Sequence, residues 1–482
     1  MLILNQLISQ FLSNILDICI LIPAIAIIFI ALLKEKHSRQ ISILSTGLVL
    51  AISLFLLIYF YKIGNVNITN SILFIKSLNI NFNLGLNPIS FVLFLMANII
   101  LFATALAGNV HRAEQKLSSF LIILFQISGI GLFLSLNLFI FFIFWDIGVI
   151  SLFFMINILG SPNRRTASMK FLIYEIFASS LLLFGILIIY FYTPIHSFNI
   201  QKIITNSNLI PANIQFVIFV LLLIAFAINL PVFPFHSWLP DAHTEAPTQG
   251  SMLLSGILTK FGGFGIILLF EMLPIFKLYS NYIAIAAIVS IFYSVFVLMK
   301  QDDIKRVIAY STITEMGIVL FGISELNNFG LFGSIYAMLS HGLIIALMFL
   351  IAGSIELIYG TRSIKVLKGI VKNARLSAYC FLIGTFAIVG MPLTTAFIAD
   401  LLIFIGAIQS FGLYGIIPLF AILLLGAFMY FIINKSFLST KKYSKNIDFI
   451  RIEQKFVYFI LLFFIFLFGI FPFIILKLLN PI

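Results

Sequence analysis

The sequence predicts an all-α polytopic membrane protein with about 14 transmembrane helices. Of its 482 residues, 62% are hydrophobic and only 9% are charged, a balance that soluble domains of this size do not show. Apolar runs of about 20 residues, the length that crosses a bilayer, recur along the whole chain. Two of them are interrupted by proline, at 231–240 and at 392, about 160 residues apart.

Taken in order, the spans fall near 15–33, 41–61, 88–109, 117–135, 138–159, 170–193, 211–239 (broken), 248–272, 281–299, 303–324, 328–358, 376–410 (broken), 412–437 and 456–478. The segment 63–87 is a longer loop of mixed polarity with room for a hairpin. The spacing of the two breaks divides the chain into N-terminal helices 1–3 (1–110), a first five-helix repeat (117–272), a second repeat (281–437) and a last helix (456–478). Five spans per repeat make the second inverted relative to the first. No basic region precedes the first span and no small-residue cleavage site follows it, so no cleavable signal is expected.

Orientation follows from Lys and Arg. Of the 28 basic residues, 22 fall in odd-numbered loops, five in even loops or after the last span, and one, Lys260, inside a span. Odd loops are therefore expected on the cytoplasmic or equivalent side, with both termini opposite. The net charge of +12 belongs to this alternation and does not mark a nucleic-acid surface. Cys19 and Cys380 sit in apolar runs without ligand spacing and read as small core residues. No CxxC pair, dinucleotide-binding glycine motif or P-loop is present, so no redox or nucleotide site is expected in this chain.

The organising stretch is Asn229–Lys260, NLPVFPFHSWLPDAHTEAPTQGSMLLSGILTK. Pro231, Pro234 and Pro240 each remove a backbone donor, so no continuous helix passes through. At membrane depth such backbone survives where it is buried in protein or lines a wet cavity. The flanking runs are apolar, and the segment reads as a broken transmembrane helix. Pro392, in GMPLTT, marks the second. His236 lies in the first break, where packing or capping and proton transfer are both open. Asp241, His243 and Glu245 are read as a polar loop and not as a metal site.

Ionisable groups within spans are costly and usually functional. Here they are Asp146, Glu175, Lys260, Glu315, His341 and Asp400. Singly, each has a bland reading as a buried pair that fixes packing. Spread along a repeat, they suggest ion conduction, because burial moves acids and bases toward a common pKa range. Asp146 and Lys260 are natural counter-ions. Thr312 and Thr314 offer a wet path beside Glu315, and Asp302, Asp303, Lys305 and Arg306 read as a solvated helix start.

With these residues in place, the chain resembles the antiporter-like membrane subunits of respiratory complex I (NADH:quinone oxidoreductase), the M type in particular. The resemblance rests on FWDIGVIS, LPVFPFHSWLPDAHTEAPTQGSMLLSGILTK, DIKRVIAYSTITEMG, LSHGL and GMPLTTAFIADLL, in family order over about 140–410. The wider superfamily includes subunits of Mrp-type cation/proton antiporters and membrane-bound hydrogenases. Length and the lack of a long C-terminal amphipathic helix fit the M type better than the L type.

The resemblance implies 14 helices with inverted repeats and proton translocation driven by remote redox chemistry. It implies flavin, iron–sulfur clusters and quinone in partner subunits, and other membrane-arm subunits as neighbours. It also implies roles. Asp146 stands where the family has a fifth-helix glutamate, Lys260 at the eighth-helix lysine, His341 at the relay histidine of the eleventh helix, and Asp400 at the terminal acid of the twelfth.

There are departures. Asn229 replaces the lysine that usually precedes the seventh-helix proline and is thought to exchange partners with the fifth-helix acid. Glu315 stands where relatives often have histidine, and Glu175 has no usual counterpart. Asparagine carries no proton. Three expectations follow: Lys260 substitutes, Glu175 and Glu315 reroute the path, or this subunit is structural and does not pump.

Overall fold

The computed structural model describes residues 2–64, 66–75, 80–108, 114–439 and 452–479. The positions of Lys76, Arg112, Lys441, Lys442, Lys445 and Arg451 in the charge pattern lie outside the described residues. The chain starts with α1 (Leu2–Leu32) and α2 (Glu35–Ile63), a hairpin of β1 (Ile68–Ile75) and β2 (Ile80–Leu86), and α3 (Pro88–Ala107). The strands pair antiparallel from Ile68↔Leu86 to Ile75↔Ile80. Among the described residues this hairpin, in the loop at 63–87, is the exception to an otherwise helical fold. Asn87 caps α3: its side chain accepts from Ser90 N while Ser90 Oγ accepts from Asn87 N, and Pro88 takes the first position. That reciprocal pair satisfies backbone donors that would otherwise be orphaned.

The first repeat holds α4 (Gln115–Leu134), α5 (Leu138–Leu159) and α6 (Arg164–Tyr192), then a short loop helix α7 (Ile200–Asn206). The broken span is α8 (Ala212–Asn229) followed by α9 (Trp238–Glu245). The next is α10 (Thr248–Leu253), a π-helical turn Leu254–Leu258, and α11 (Thr259–Met272). The second repeat holds α12 (Phe276–Leu298), α13 (Ile304–Ser324) and α14 (Asn328–Tyr359), then a one-turn α15 (Ile370–Asn373). Its broken span is α16 (Arg375–Ile388) with α17 (Thr395–Phe411), and α18 (Ile417–Ile432) closes it. Finally come α19 (Ile452–Ile470) and a short α20 (Phe473–Leu479).

Among the described residues, 13 helical runs are long and apolar enough to cross a membrane; α16 falls short, and one run, Thr395–Phe437, joins α17 to α18. Dividing that run at Gly412, which is left-handed at φ 59°, and joining α16 to α17 across their break recovers fourteen spans. The two halves pack alike. The order α4 on α5, α5 on α6, α6 on α8 and α9 is repeated by α12 on α13, α13 on α14, α14 on α16 and α17.

The innermost helices are α13 and the α10–α11 span, buried nearly throughout, while α1 and α6 turn large apolar side chains outward. In a bilayer that outward face meets lipid.

The fifth, seventh, ninth and eleventh loops share one end of the bundle. Lys170 and Arg306 both pair with Asp241, at 2.7 and 3.0 Å, and Arg362 pairs with Asp303 at 3.0 Å. At the other end the bridge Leu84↔Ser135 ties the hairpin to the loop after α4, and Asn137↔Asn199 ties that loop to the one after α6.

Candidate functional site

Two of the polar clusters inside the bundle hold the ionisable residues singled out in the sequence. The first joins α5, α6 and α8. Ser179 Oγ donates to Asp146 Oδ1 at 2.5 Å. One turn earlier on α6, Glu175 is fully buried. Asn229 Nδ2 donates to both of its oxygens, at 3.3 and 3.1 Å, and Asp146 lies within Coulombic reach. A cavity of about 350 Å³ is lined by Asp146, Glu175, Ser179 and Ser180 together with Ile150 and Ile176, which are 46% and 54% exposed. The acid pair is thus reached from the outer flank of the bundle.

Asn229 ends α8 and faces two ways. Its Oδ1 accepts from Gly262 N at 2.8 Å, which ties the acid cluster to the helix of Lys260. A Cβ at Gly262 would meet Phe226 O and Leu230 N at 2.6 Å, so only glycine lets α8 end this close to α11.

The second cluster is built on the π-helical turn. A π segment shifts the hydrogen-bond register and frees carbonyls for other partners. Ser255 O accepts from Lys260 Nζ and from Thr259 Oγ1, the latter at 2.9 Å. Lys260 Nζ also contacts His341 Nδ1 at 2.6 Å and Thr259 Oγ1 at 3.3 Å. With Lys260 donating, His341 accepts at Nδ1 and carries its proton on Nε2, a nitrogen with no partner among the described residues. Ser255 Oγ meets His243 Nε2 at 2.7 Å and Thr312 Oγ1 at 3.2 Å.

From Lys260 the line runs outward. Glu315 on α13 lies within Coulombic reach of Lys260 on one side and Asp400 on the other. Asp400 on α17 packs against the second break: a Cβ at Gly390 would meet its Oδ2 at 2.6 Å, and Gly390 is left-handed at φ 73°.

Several sequence expectations are corrected. Asp146 and Lys260 are not counter-ions; Ser179 holds the acid, and Glu315 is the carboxylate in the field of the lysine. His243 is not in a solvated loop but fully buried in α9, stacked on Phe349 at 4.2 Å and 14°. Of the residues near it in sequence, Asp241 turns to Lys170 and Arg306, and Glu245 accepts from Asn163 N at 2.9 Å.

The helix start at 302–306 is only partly solvated. Asp303 caps α13 by accepting from Lys305 N and Arg306 N, but Lys305 is 2% exposed and pairs with Glu356 at 2.9 Å. Thr312 does line the Lys260 cluster, whereas Thr314 bonds Ser294 on α12 at 2.8 Å. A cavity of about 200 Å³ at the odd-loop end is lined by Thr248, Gln249, Lys305 and Glu356. His243 feels the Coulombic influence of both Lys305 and Lys260, so it bridges the cavity end to the buried lysine. Periodicity gives no sign of the π turn, whose residues Leu254–Leu258 fit an α-helix equally well.

The first break is closed by side chains. Trp238 Nε1 donates to Ile228 O at 3.0 Å and Ser290 Oγ accepts from Phe233 N at 3.0 Å. Pro231 and Pro234 lie within it. The His236 ring packs against Phe233 and Tyr293, with centroids at 5.8 and 4.9 Å, and its Nδ1 has no hydrogen-bond partner among the described residues.

Paired broken helices in inverted repeats, with a buried lysine between acids, define an antiporter-like membrane subunit. Residues 135–429 match the family described as "NADH:quinone oxidoreductase/Mrp antiporter, TM". The chain is 32% identical to NADH-quinone oxidoreductase subunit M of Rickettsia bellii over 405 residues, 81% of each chain. It is 34% identical to F(420)H(2) dehydrogenase subunit M of Methanosarcina mazei over 362 residues, 73% of each. A chain of respiratory complex I from Thermus thermophilus superposes with a TM-score of 0.89 at 23% identity, covering 97% of both. The chain belongs to the NADH:quinone oxidoreductase/Mrp antiporter transmembrane family.

Proposed function

We propose that this chain translocates protons in the membrane arm of a complex I-like NADH:quinone oxidoreductase, with flavin, iron–sulfur clusters and quinone in other subunits. The observation that carries the reading is the buried contact of Lys260 with His341, flanked by Glu315 and Asp400 in Coulombic succession. Ionisable groups inside a membrane are retained for transfer when they form such a series. Protons enter from the odd-loop end past Lys305 and His243, load on Lys260, and pass through His341 and Glu315 to Asp400. Asp146 and Glu175 bias the lysine from the flank through Asn229 and Gly262.

The usual lysine partner is absent, but the position is not empty of acid–base chemistry, because Glu175 meets Asn229 there. That contact supports a rerouted switch over a silent, structural subunit. The odd-loop end is read as the cytoplasmic or equivalent side, on the bias of 22 of the 28 basic residues, with 117–272 and 281–437 as the two repeats.

The test is Lys260→Ala in the intact complex, reconstituted in vesicles. Quinone reduction should persist while protons moved per turnover fall, with assembly unchanged. Undiminished pumping in that variant would favour the structural role.

A further inference from the structure

Glu325 is a buried acid that the series from Lys260 to Asp400 does not use. It lies in the turn between α13 and α14, only 3% exposed, and neither carboxyl oxygen has a hydrogen-bond partner among the described residues. Buried carboxyls are normally partnered, so such a group needs a reason to be there.

The surroundings make room for it. A Cβ at Gly330 on α14 or at Gly406 on α17 would collide with Glu325 Oε2, and one at Gly406 would also meet Asn327 Oδ1 at 2.7 Å. The turn is fixed around the gap. Asn327 Nδ2 donates to Gly406 O and to Ser410 Oγ, both at 2.8 Å, and Ser410 Oγ donates to Glu325 O at 2.6 Å. Leu326 is held left-handed at φ 57°, a region that branched side chains rarely enter.

The place suits release. Asn328 and Phe329, three and four residues on, are exposed. Gly406 is six residues beyond Asp400 on α17, about 9 Å along the axis. The titratable groups on the packed helices are Lys305, Arg306, Tyr310 and Glu315 on α13, Tyr336, His341, Glu356 and Tyr359 on α14, and Asp400 on α17. None of them perturbs Glu325; burial alone pushes its carboxyl up to about 9.

We propose that Glu325 is the outer proton-holding group, refilled from Asp400 and discharging to solvent at the 324–328 turn. This rests on the proton-translocating reading above. In each cycle the neutral Glu325 acid loses its proton to water at the turn. The carboxylate then regains one, through intervening water, from the Asp400 acid. Glycines at 330 and 406 keep space for the carboxyl beside that route.

The test uses the intact complex in vesicles, with proton release per redox turnover measured against pH on the release side. Glu325→Gln keeps the shape and removes the proton. It should lower release about tenfold or more and abolish an inflection near pH 9, while Glu325→Asp restores part of both. Lys260→Ala runs in parallel. If Lys260→Ala stops pumping while Glu325→Gln retains the parental yield and pH profile, the Glu325 assignment is overturned and the pumping reading stands. If Lys260→Ala also pumps normally, the underlying reading fails and Glu325 loses its role with it.

Discussion

Asn229 shows how much one side chain can settle. Its amide donates to both oxygens of Glu175 and accepts from Gly262 N, so a single residue satisfies a buried acid and a buried backbone donor on two other helices. Asn229→Leu would orphan both groups. Each orphan costs about 1–3 kcal/mol, so the variant should unfold at clearly lower temperature in detergent, while Asn229→Gln loses less. A melting curve equal to the parent's would show that these contacts contribute nothing. The exchange at 229 was visible in the sequence, because the flanking LPVFPFHSW fixes the register. Its consequence was not, since Glu175 is 54 residues away and only packing of α6 on α8 brings the two together. The same limit explains the false pairing of Asp146 with Lys260. Charge arithmetic finds opposite signs, but Lys260 leaves its helix on the side of His341 and Ser255.

At the level of elements, the breaks and the π turn differ in how legible they are. Pro231, Pro234 and Pro392 announce broken helices, because proline removes a donor and clashes with the preceding turn. Hydrophobic periodicity likewise reports the spans. The π turn Leu254–Leu258 has no such marker: its residues are apolar or small and fit an α-helix equally well. Yet it exposes the Ser255 carbonyl to Lys260 and aims the Ser255 hydroxyl at His243 and Thr312. Ser255→Ala separates these two functions, because the carbonyl remains and the hydroxyl is lost. If His243 delivers protons to Lys260, the variant should pump several-fold more slowly with Lys260 still in place and assembly unchanged. Proton flux in vesicles decides this, and parental flux would remove His243 from the path.

For the whole molecule, the charge alternation and the three-dimensional ties agree on which loops share an end. Lys170 of α6, Asp241 of α9 and Arg306 of α13 meet in one network at the odd-loop end. The hairpin and the loops after α4 and α6 gather at the other end. Composition made this division readable, because basic residues near span ends are sorted during insertion. The joining of distant loops was not readable, since it depends on the helices' order around the bundle. The remaining step, from two ends to two sides of a membrane, is open to direct labelling. Cys19 and Cys380 are buried, at 0% and 3% exposure, so background reaction with a membrane-impermeant maleimide should be low. Lys300→Cys and Lys365→Cys place thiols on exposed odd-loop positions, and Lys62→Cys and Lys202→Cys on exposed even-loop positions. The positive-inside bias predicts that the first two react only when the cytoplasmic face is presented, in inverted vesicles, and the second two only in right-side-out vesicles. The reverse pattern would turn the chain over, placing proton entry at the Asp400 end and making Glu325 a loading group. Labelling of both sets from one side would contradict the crossing pattern itself.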